Sequence, residues 1–154
     1  INYIAAEYLA NSEKEITLIT NMPSITTHFN KNSKVDIIMI GGEYNKKVGG
    51  NVGSEAINYI KRYNVDKAFI GSAGIDLEAE KVMNFELNDG NTKKEIMKIS
   101  KKIFLVTEYK KLGILGSYKF SNLSDFDVFI CEKDKKDYLE NYKKIFDECE
   151  VKII

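Results

Sequence analysis

Short apolar runs alternate with segments of helical spacing along the whole chain. The apolar runs have the length of strands and are rich in β-branched residues, which favours buried β-structure. They are Glu15–Thr20, Val35–Ile40, Lys67–Ile70, Ile103–Thr107, Phe126–Cys131 and Val151–Ile154. Strands separated by helices are typical of βαβ units, and runs without polar alternation indicate a sheet that is covered on both faces. The pattern predicts a single α/β domain with a mostly parallel sheet and helices on both faces.

The start signals of the helices also predict where the longer loops lie. Helices are predicted over residues 1–10, from Asn21 as N-cap to about Phe29, over Val52–Tyr63, from Thr92 onward, and over Lys135–Phe146. Thr92-x-x-Glu95 has the form of a capping box, in which each side chain caps a backbone N–H at the helix start. The segment Leu77–Asn91 is therefore predicted to be a long loop, and Glu43–Gly50 a shorter one.

The segment Lys67–Asp76 points most directly to a binding site. Its apolar strand ends in Gly71-Ser72-Ala73-Gly74, small residues that leave the main chain accessible to a ligand. Asp76 then offers an acceptor for hydroxyl groups. Ligands of open α/β sheets bind at the carboxyl ends of the strands, which is where these residues fall. An ordinary turn after a strand has a similar composition, so that alternative stays open.

Other predicted strands end in polar or glycine-rich residues as well. These ends are Thr20-Asn21, Gly41-Gly42 and Thr107-Glu108. Because the carboxyl ends of parallel strands meet at one edge of a sheet, we expect these residues to gather near Gly74 and Asp76.

Lys93 is the candidate anion contact. In a helix that begins at Thr92, Lys93 and Lys94 lie in the first turn, where the helix dipole disfavours a cation by roughly 0.3–1 kcal/mol. A bound anion would convert this repulsion into attraction. A solvated lysine is an equally simple explanation in a chain this rich in lysine.

The segment Glu108–Gly113 contains a second acid–lysine combination after a predicted strand. Glu108 and Lys111 could hydrogen-bond sugar hydroxyls. The simpler alternative is a solvated turn that Gly113 closes, and the residues alone favour the turn.

Charge and composition restrict the function further. Lys plus Arg and Asp plus Glu number 23 each, and Arg62 is the only arginine, which argues against DNA binding by this chain alone. One histidine and two cysteines without a CxxC motif indicate neither a zinc site nor a disulfide framework, and no cofactor motif is present. No run reaches the length of a membrane span and no secretory signal is found, which predicts a cytoplasmic protein.

An ordered set of segments resembles the carboxyl-terminal sugar-phosphate-sensing domain of DeoR-type bacterial transcription regulators. The matching residues are Ile19-Thr20-Asn21, Gly41-Gly42-Glu43, Val52-Gly53, Val65–Asp76, Lys93, Glu108 with Lys111-Leu112-Gly113, and Phe126-Asp127-Val128. The resemblance extends over nearly the whole chain. It implies a three-layer fold similar to that of ribose-5-phosphate isomerase, and a protein that binds a phosphorylated sugar without converting it.

The resemblance also implies a site and partners. The effector-binding residues would be Asn21, Gly42, Gly74, Asp76 and Lys93, with Glu108 and Lys111 as neighbours. Residues 1–154 would form the effector domain of a homo-oligomer that binds DNA only through an amino-terminal helix-turn-helix. That helix-turn-helix, the family's first strand and its phosphate-binding loop would all precede Ile1. Glu108 stands where the family usually has aspartate, and Asp89 where glutamate is common.

Two other functions fit the same residues. A sugar-phosphate isomerase on this fold would need a carboxylate base and an electrophile, for which Asp76, Glu108 and Lys93 are candidates. Against it, Asn88–Thr92 is polar where such isomerases have a glycine-rich run. A purely structural oligomerisation domain would explain the fold but not the polar strand ends.

Overall fold

The computed structural model describes residues 2–132 and 139–154 and has the alternation of strands and helices that the sequence predicts. The α-helices with described bounds are α1 (Asn2–Ala10), α2 (Ser54–Ile60), α3 (Leu87–Lys98) and α4 (Lys143–Glu148). Short 3-10 helices span Pro23–His28, Tyr109–Lys111 and Leu123–Asp125. The strands are β1 (Ile16–Thr20), β2 (Val35–Met39), β3 (Glu43–Asn45), β4 (Gly50–Val52), β5 (Val65–Ile70), β6 (Gly74–Asp76), β7 (Lys81–Asn84), β8 (Ser100–Val106), β9 (Tyr118–Asn122), β10 (Val128–Ile130) and β11 (Lys152–Ile153).

Backbone contacts divide the chain into two compact units, Ile1–Arg62 and Tyr63–Ile154. In the first unit, β1 and β2 pair in parallel along their full lengths, and β3 and β4 form an antiparallel hairpin. Its buried residues include Ile40, Val52 and Ile60, which follow β2, end β4 and end α2.

The second unit contains a parallel sheet in the strand order β11-β10-β8-β5 and an antiparallel sheet in the order β6-β7-β9. The fully buried rings of Phe129 on β10 and Phe146 on α4 lie 4.7 Å apart and join that helix to the parallel sheet. Phe120 of β9 is buried and belongs to the same apolar core. The predicted α/β class with a mostly parallel sheet is confirmed.

The prediction that Leu77–Asn91 forms a long loop is wrong. Most of it is ordered structure, because β6 and β7 form a hairpin with Gly74 opposite Met83 and Asp76 opposite Lys81. β7 then pairs with β9, a strand that we did not predict. Val82 is fully buried, so its apolar side chain supplies the packing that holds the hairpin in place.

The predicted helix start at Thr92 is also wrong, because α3 begins at Leu87 after the N-cap residue Glu86. Thr92 lies inside the helix, where its hydroxyl donates to the Asn88 carbonyl at 2.7 Å. Residues 88–91 are weak helix formers, but tertiary contacts outweigh that preference. One such contact is at Gly90, where an added Cβ would lie 2.6 Å from the ring of Tyr118.

Smaller differences concern the first unit and the end of the chain. Asn21 is not an N-cap, since a 3-10 helix follows Met22 without a side-chain cap. The predicted loop Glu43–Gly50 contains β3 and the first residue of β4, and the helix predicted over Val52–Tyr63 is the shorter α2. Residues 135–138 of the helix predicted over Lys135–Phe146 lie outside the described residues.

Gly74 provides a test of how tightly the second unit is packed. An added Cβ at Gly74 would overlap the carbonyl oxygen of Ile114, which is main chain and cannot rotate away. We expect Gly74→Ala to lower the free energy of unfolding by about 2–3 kcal/mol in a urea titration. Gly41→Ala is the matched control, because an added Cβ at Gly41 meets no atom within 4 Å. Equal stability of the two variants would contradict the packing at Gly74.

Candidate functional site

Two small hydroxyl side chains meet at the carboxyl ends of β5 and β8. Ser72 follows β5 and Thr107 follows β8, both are buried, and the Ser72 hydroxyl donates to Thr107 Oγ1 at 3.3 Å. The backbone N–H of Thr107 donates to the Ile130 carbonyl at 3.2 Å, which ties in the end of β10. These contacts fix the main chain at the edge where ligands of parallel sheets bind.

Lys111 reaches the same place from the segment after β8. Its ammonium donates to the Ser72 carbonyl at 3.0 Å. The 3-10 helix Tyr109–Lys111 is followed by Gly113, whose φ of +80° favours glycine and whose N–H donates to the Ile75 carbonyl at 2.8 Å. The turn predicted for this segment and the polar contact of Lys111 are therefore both present.

Lys93 belongs to a buried polar network with Asp89 and Asn84. Asp89 Oδ2 lies 2.6 Å from Lys93 Nζ and accepts a hydrogen bond from Asn84 Nδ2 at 2.7 Å. Asp89 and Asn84 are buried, and Lys93 Nζ also lies 5.7 Å from the centroid of the Phe120 ring. An ammonium carries three N–H donors, so Lys93 can bind a further acceptor while it remains paired with Asp89.

The position of Lys93 corrects the reason for which we singled it out. Lys93 is the seventh residue of α3 rather than part of its first turn, so the helix dipole does not govern its charge. Its partner Asp89, four residues earlier on the same helix face, accounts for the burial of a lysine at this point.

The network lies next to the main chain at Ser72. Ala73 N–H donates to the carbonyl of Met83 at 3.0 Å, and Asn84 is the residue after Met83. We name the group formed by Ser72, Asn84, Asp89, Lys93, Thr107 and Lys111 the Ser72 edge. It combines two ammonium groups, one buried carboxylate and main-chain polar groups, the functional groups needed to bind an anion that also carries hydroxyls.

Gly74 and Asp76 lie on β6, immediately after the Ser72 edge. Gly74 lets the chain pass against Ile114. Asp76 Oδ1 accepts a hydrogen bond from the Ala79 N–H at 3.0 Å and thereby stabilises the hairpin turn. Asp76 pairs with Lys81 on the neighbouring strand. Lys81 precedes Asn84 by three residues, which places the Asp76–Lys81 pair about 10 Å along β7 from the buried network.

Glu108 and its neighbours form a second polar group after β8. Glu108 forms an ion pair with Lys110, and the hydrogen bond from Lys110 holds the pKa of Glu108 below its ordinary value. Glu132 accepts hydrogen bonds at 2.8 Å from the Tyr109 N–H and from Cys131 Sγ. Burial raises the pKa of Glu132, but the hydrogen bonds to its carboxylate outweigh burial and the pKa lies below its ordinary value.

Asn21 and Gly42 belong to the first unit, at the ends of β1 and β2. Asn21 Nδ2 donates to the Asn51 carbonyl at 2.9 Å, and Asn51 Nδ2 donates to the Ile40 carbonyl at 2.8 Å. Gly42 has a φ of +129°, and an added Cβ there would lie 2.9 Å from Ala56 Cβ. The two asparagines thus join the ends of these neighbouring strands.

Asn51, Asn84 and Asp89 were not among the predicted effector-binding residues. Asn51 pairs with the predicted Asn21, and Asn84 and Asp89 hold the predicted Lys93. The i,i+4 spacing of Asp89 and Lys93 was a usable signal in the sequence. We missed it because we assigned Asp89 to a loop.

The model of the family described as DeoR C terminal sensor domain matches residues 2–133. The HTH-type transcriptional repressor GlcR of Bacillus subtilis is 27% identical over 119 residues, which are 77% of this chain and 45% of the relative. The glycerol-3-phosphate regulon repressor of Escherichia coli is 23% identical over 117 residues, 76% of this chain and 46% of the relative. An HTH-type transcriptional regulator of Haemophilus influenzae is 30% identical over 128 residues, 83% and 49%.

These findings confirm the resemblance on which the sequence analysis relied. The chain spans about half the length of these curated relatives. The matched domain is regulatory and the first two relatives are named repressors, so the prediction that the chain is not an enzyme is confirmed. Among the described residues, no helix is both long enough and apolar enough to cross a bilayer.

The buried carboxylate of Asp89 should contribute measurably to stability. Asp89→Asn removes the charge that Lys93 and Asn84 share, and we expect a loss of about 1–3 kcal/mol in the free energy of unfolding. Asp66→Asn is the control, because the pair of Asp66 with Lys101 is exposed and should be worth little. Urea titrations of both variants measure these changes. An Asp89→Asn variant as stable as the wild type would contradict the contribution of the network to stability.

Glu132 should make stability depend on pH. Its pKa in the folded chain lies below the ordinary value of 4.5, so the folded state binds fewer protons than the unfolded state in this range. The contribution of Glu132 is therefore present above pH 4.5 and is lost as pH falls through the folded pKa.

Stability against urea at a series of pH values measures this effect. We expect Glu132→Gln to be less stable than the wild type at pH 7, with a difference that shrinks below pH 4.5. Glu78→Gln, which removes a carboxylate at an exposed position, is the control variant. A difference for Glu132→Gln that does not change with pH would contradict the assignment.

Proposed function

Because the chain belongs to the DeoR C-terminal sensor domain family, we propose that it senses a phosphorylated sugar or sugar derivative for a transcriptional repressor. The observation that carries this proposal is the Ser72 edge. There the ammonium of Lys111 contacts main chain just after the parallel strand β5, and the Lys93–Asp89 pair reaches the end of β7 through Asn84. The effector would bind without being converted.

The chemistry of the Ser72 edge suits a phosphorylated polyol. A phosphate needs cationic donors, which Lys93 and Lys111 provide, and both lie on ordered elements of the second unit. Sugar hydroxyls need acceptors and donors of the kind offered by Asp89, Asn84 and Thr107. A neutral sugar would form no ion pair with the two ammonium groups. Inorganic phosphate would lack the polyol hydroxyls that Asp89, Asn84 and Thr107 could bind.

The family resemblance extends the proposed site beyond the Ser72 edge. The proposed effector contacts are Asn21, Gly42, Gly74, Asp76, Lys93, Glu108 and Lys111. Lys93 and Lys111 have the strongest support, because their ammonium groups already bind polar partners in the second unit. Asp76 and Glu108 each have a local hydrogen-bonding role that an effector would have to share.

The names of the relatives suggest which effectors to test first. One relative is named a glycerol-3-phosphate regulon repressor in Escherichia coli, and a second carries the same name in Haemophilus influenzae. A short phosphorylated polyol is therefore the first candidate, followed by phosphorylated pentoses and hexoses.

The DNA-binding part of the proposed regulator would lie outside these residues. Relatives named HTH-type regulators are about twice as long as the matched segment, and this chain has no net charge with which to hold DNA by itself. We propose that the protein also carries a helix-turn-helix, the family's first strand and its phosphate loop before Ile1, acts in the cytoplasm and forms a homo-oligomer.

Effector binding can regulate DNA binding only if it favours one conformation of the regulator over another. Lys93 on α3 pairs with Asp89, and Lys111 in the 3-10 helix Tyr109–Lys111 binds the Ser72 carbonyl. An anion held by both lysines would join these two elements. Such a bridge gives the bound state contacts that the free state lacks.

A thermal melting screen tests the proposal. Glycerol 3-phosphate, ribose 5-phosphate and glucose 6-phosphate are compared with the corresponding free polyols and with inorganic phosphate. At about one hundred times its dissociation constant, a true effector stabilises the protein by about 2.7 kcal/mol, which raises the melting temperature by roughly 5–10 °C. Failure of every phosphorylated compound to raise it would refute the proposal.

Separate variants test the proposal that Lys93 contacts the effector. We expect Lys93→Ala to abolish the rise, while Lys94→Ala, an exposed neighbour on the same helix, should keep it. The double variant Asp89→Asn with Lys93→Gln removes both charges and leaves no unpaired carboxylate, so its loss of response cannot be attributed to a buried charge. A full response in either Lys93 variant would show that this ammonium does not bind the effector.

A further inference from the structure

The parallel sheet of the second unit has one face that a helix covers and one face that exposes a pair of aromatic rings. Phe129 of β10 packs against α4 on the covered face. On the other face, Phe69 of β5 is 46% exposed, and its ring stacks on the ring of Phe104 of β8 with 4.9 Å between the centroids. Parallel sheets are ordinarily covered by helices on both faces, so the exposed pair indicates a place where a further helix packs.

Exposed lysines surround this aromatic pair. Lys67 and Lys102 are register partners on β5 and β8, two residues before the rings, so they lie opposite each other on the same face. Lys152 of β11 lies in the same row as Phe104, two strands further along the sheet. We name Lys67, Phe69, Lys102, Phe104 and Lys152 the Phe69 face.

The charge of the Phe69 face is not balanced within the described part of the chain. Among the described residues, none of its three lysines forms an ion pair. The acidic residue of β5, Asp66, lies on the opposite face, where it pairs with Lys101. Like charges directly opposite each other on neighbouring strands repel, so a partner with carboxylates would relieve the repulsion between Lys67 and Lys102. The Phe69 face therefore suits an amphipathic helix whose apolar stripe is flanked by acidic residues.

We infer that the Phe69 face is the docking site for such a helix in the DNA-binding half of the same regulator. The inference rests on the proposed function, in which a helix-turn-helix precedes Ile1. A helix-turn-helix supplies helices, and a tether to the same polypeptide gives it a high effective concentration at the face. Its DNA-contacting surface would be basic and would be repelled by the lysines, so the docked half would turn that surface away from the sensor domain.

The Phe69 face and the Ser72 edge are built on the same two strands. Phe69 precedes Ser72 by three residues, and Phe104 precedes Thr107 by three residues, which is about 10 Å along each strand. A helix docked on the Phe69 face would therefore contact the strands whose ends contribute to the proposed effector site. Docking and effector binding are coupled if the effector favours one arrangement of these strand ends over another.

The reactivity of lysines in the full-length protein tests the docking. The protein is treated briefly with acetic anhydride, and mass spectrometry measures the rate of acetylation at each lysine. We expect Lys67 and Lys102 to react about tenfold more slowly than the exposed residues Lys94 and Lys119, which corresponds to docking in about 90% of the molecules.

Two variants of the full-length protein release the proposed contact. Phe69→Glu removes the apolar centre, and Lys152→Glu removes one of the cations, so each should raise the acetylation rates of Lys67 and Lys102 toward that of Lys94. Leu115→Glu is the matched control, because Leu115 is an exposed apolar residue outside the Phe69 face and its substitution should leave the rates unchanged. Circular dichroism establishes that each variant is folded, and Lys152→Glu serves alone if Phe69→Glu is not.

Three results would overturn the inference. The first is acetylation of Lys67 and Lys102 as fast as that of Lys94 in the wild-type protein. The second is protection that persists in the folded variants. The third is protection that disappears on dilution, since contacts within one polypeptide do not depend on concentration. The measurement uses neither effector nor DNA, so its failure leaves the effector proposal standing, and a negative effector screen does not alter the acetylation rates.

Discussion

The arrangement of the Ser72 edge depends on the buried carboxylate of Asp89 and its two partners. It lies within α3, yet it accepts one hydrogen bond from Asn84 at the end of β7 and pairs with Lys93 one helical turn further on. A charge placed in an apolar core is costly unless such partners surround it. Removing either partner would leave the other groups unsatisfied, so the three residues fix the helix and the hairpin in one arrangement.

Close backbone packing also holds the elements of the second unit in place. Gly74, Gly90 and Gly116 each stand where a side chain would collide with Ile114, Tyr118 or Asn84. These contacts let β6, α3 and the segment before β9 pack closely against their neighbours. Close backbone packing therefore fixes the elements that carry the polar groups of the Ser72 edge.

The sequence was informative where apolar patterning decides the structure. Each predicted strand is present among the described residues, since a run such as Ile103–Thr107 has no stable alternative to burial in a sheet. The prediction from the sequence failed between Leu77 and Thr92. There, short strands and a helix start rich in asparagine, aspartate and glycine are stabilised by distant residues such as Tyr118, and local propensity cannot reveal such partners. The candidate site shows the same division. Lys93 and Lys111 were singled out from the sequence, Lys93 for a helix position that proved wrong, whereas Asn84 and Asn51 are identified only by their contacts across the fold.

The pairing of Lys93 with an internal counter-ion also bears on discrimination among the many anions of a cell. An ammonium that already has a counter-ion gains less electrostatic energy from a second anion than an unpaired ammonium would. Chloride or a single carboxylate offers little improvement over Asp89. A dianionic phosphate offers a stronger field at the same distance. At the proposed effector site, the charge balance of α3 would therefore favour a dianionic phosphate over weaker anions.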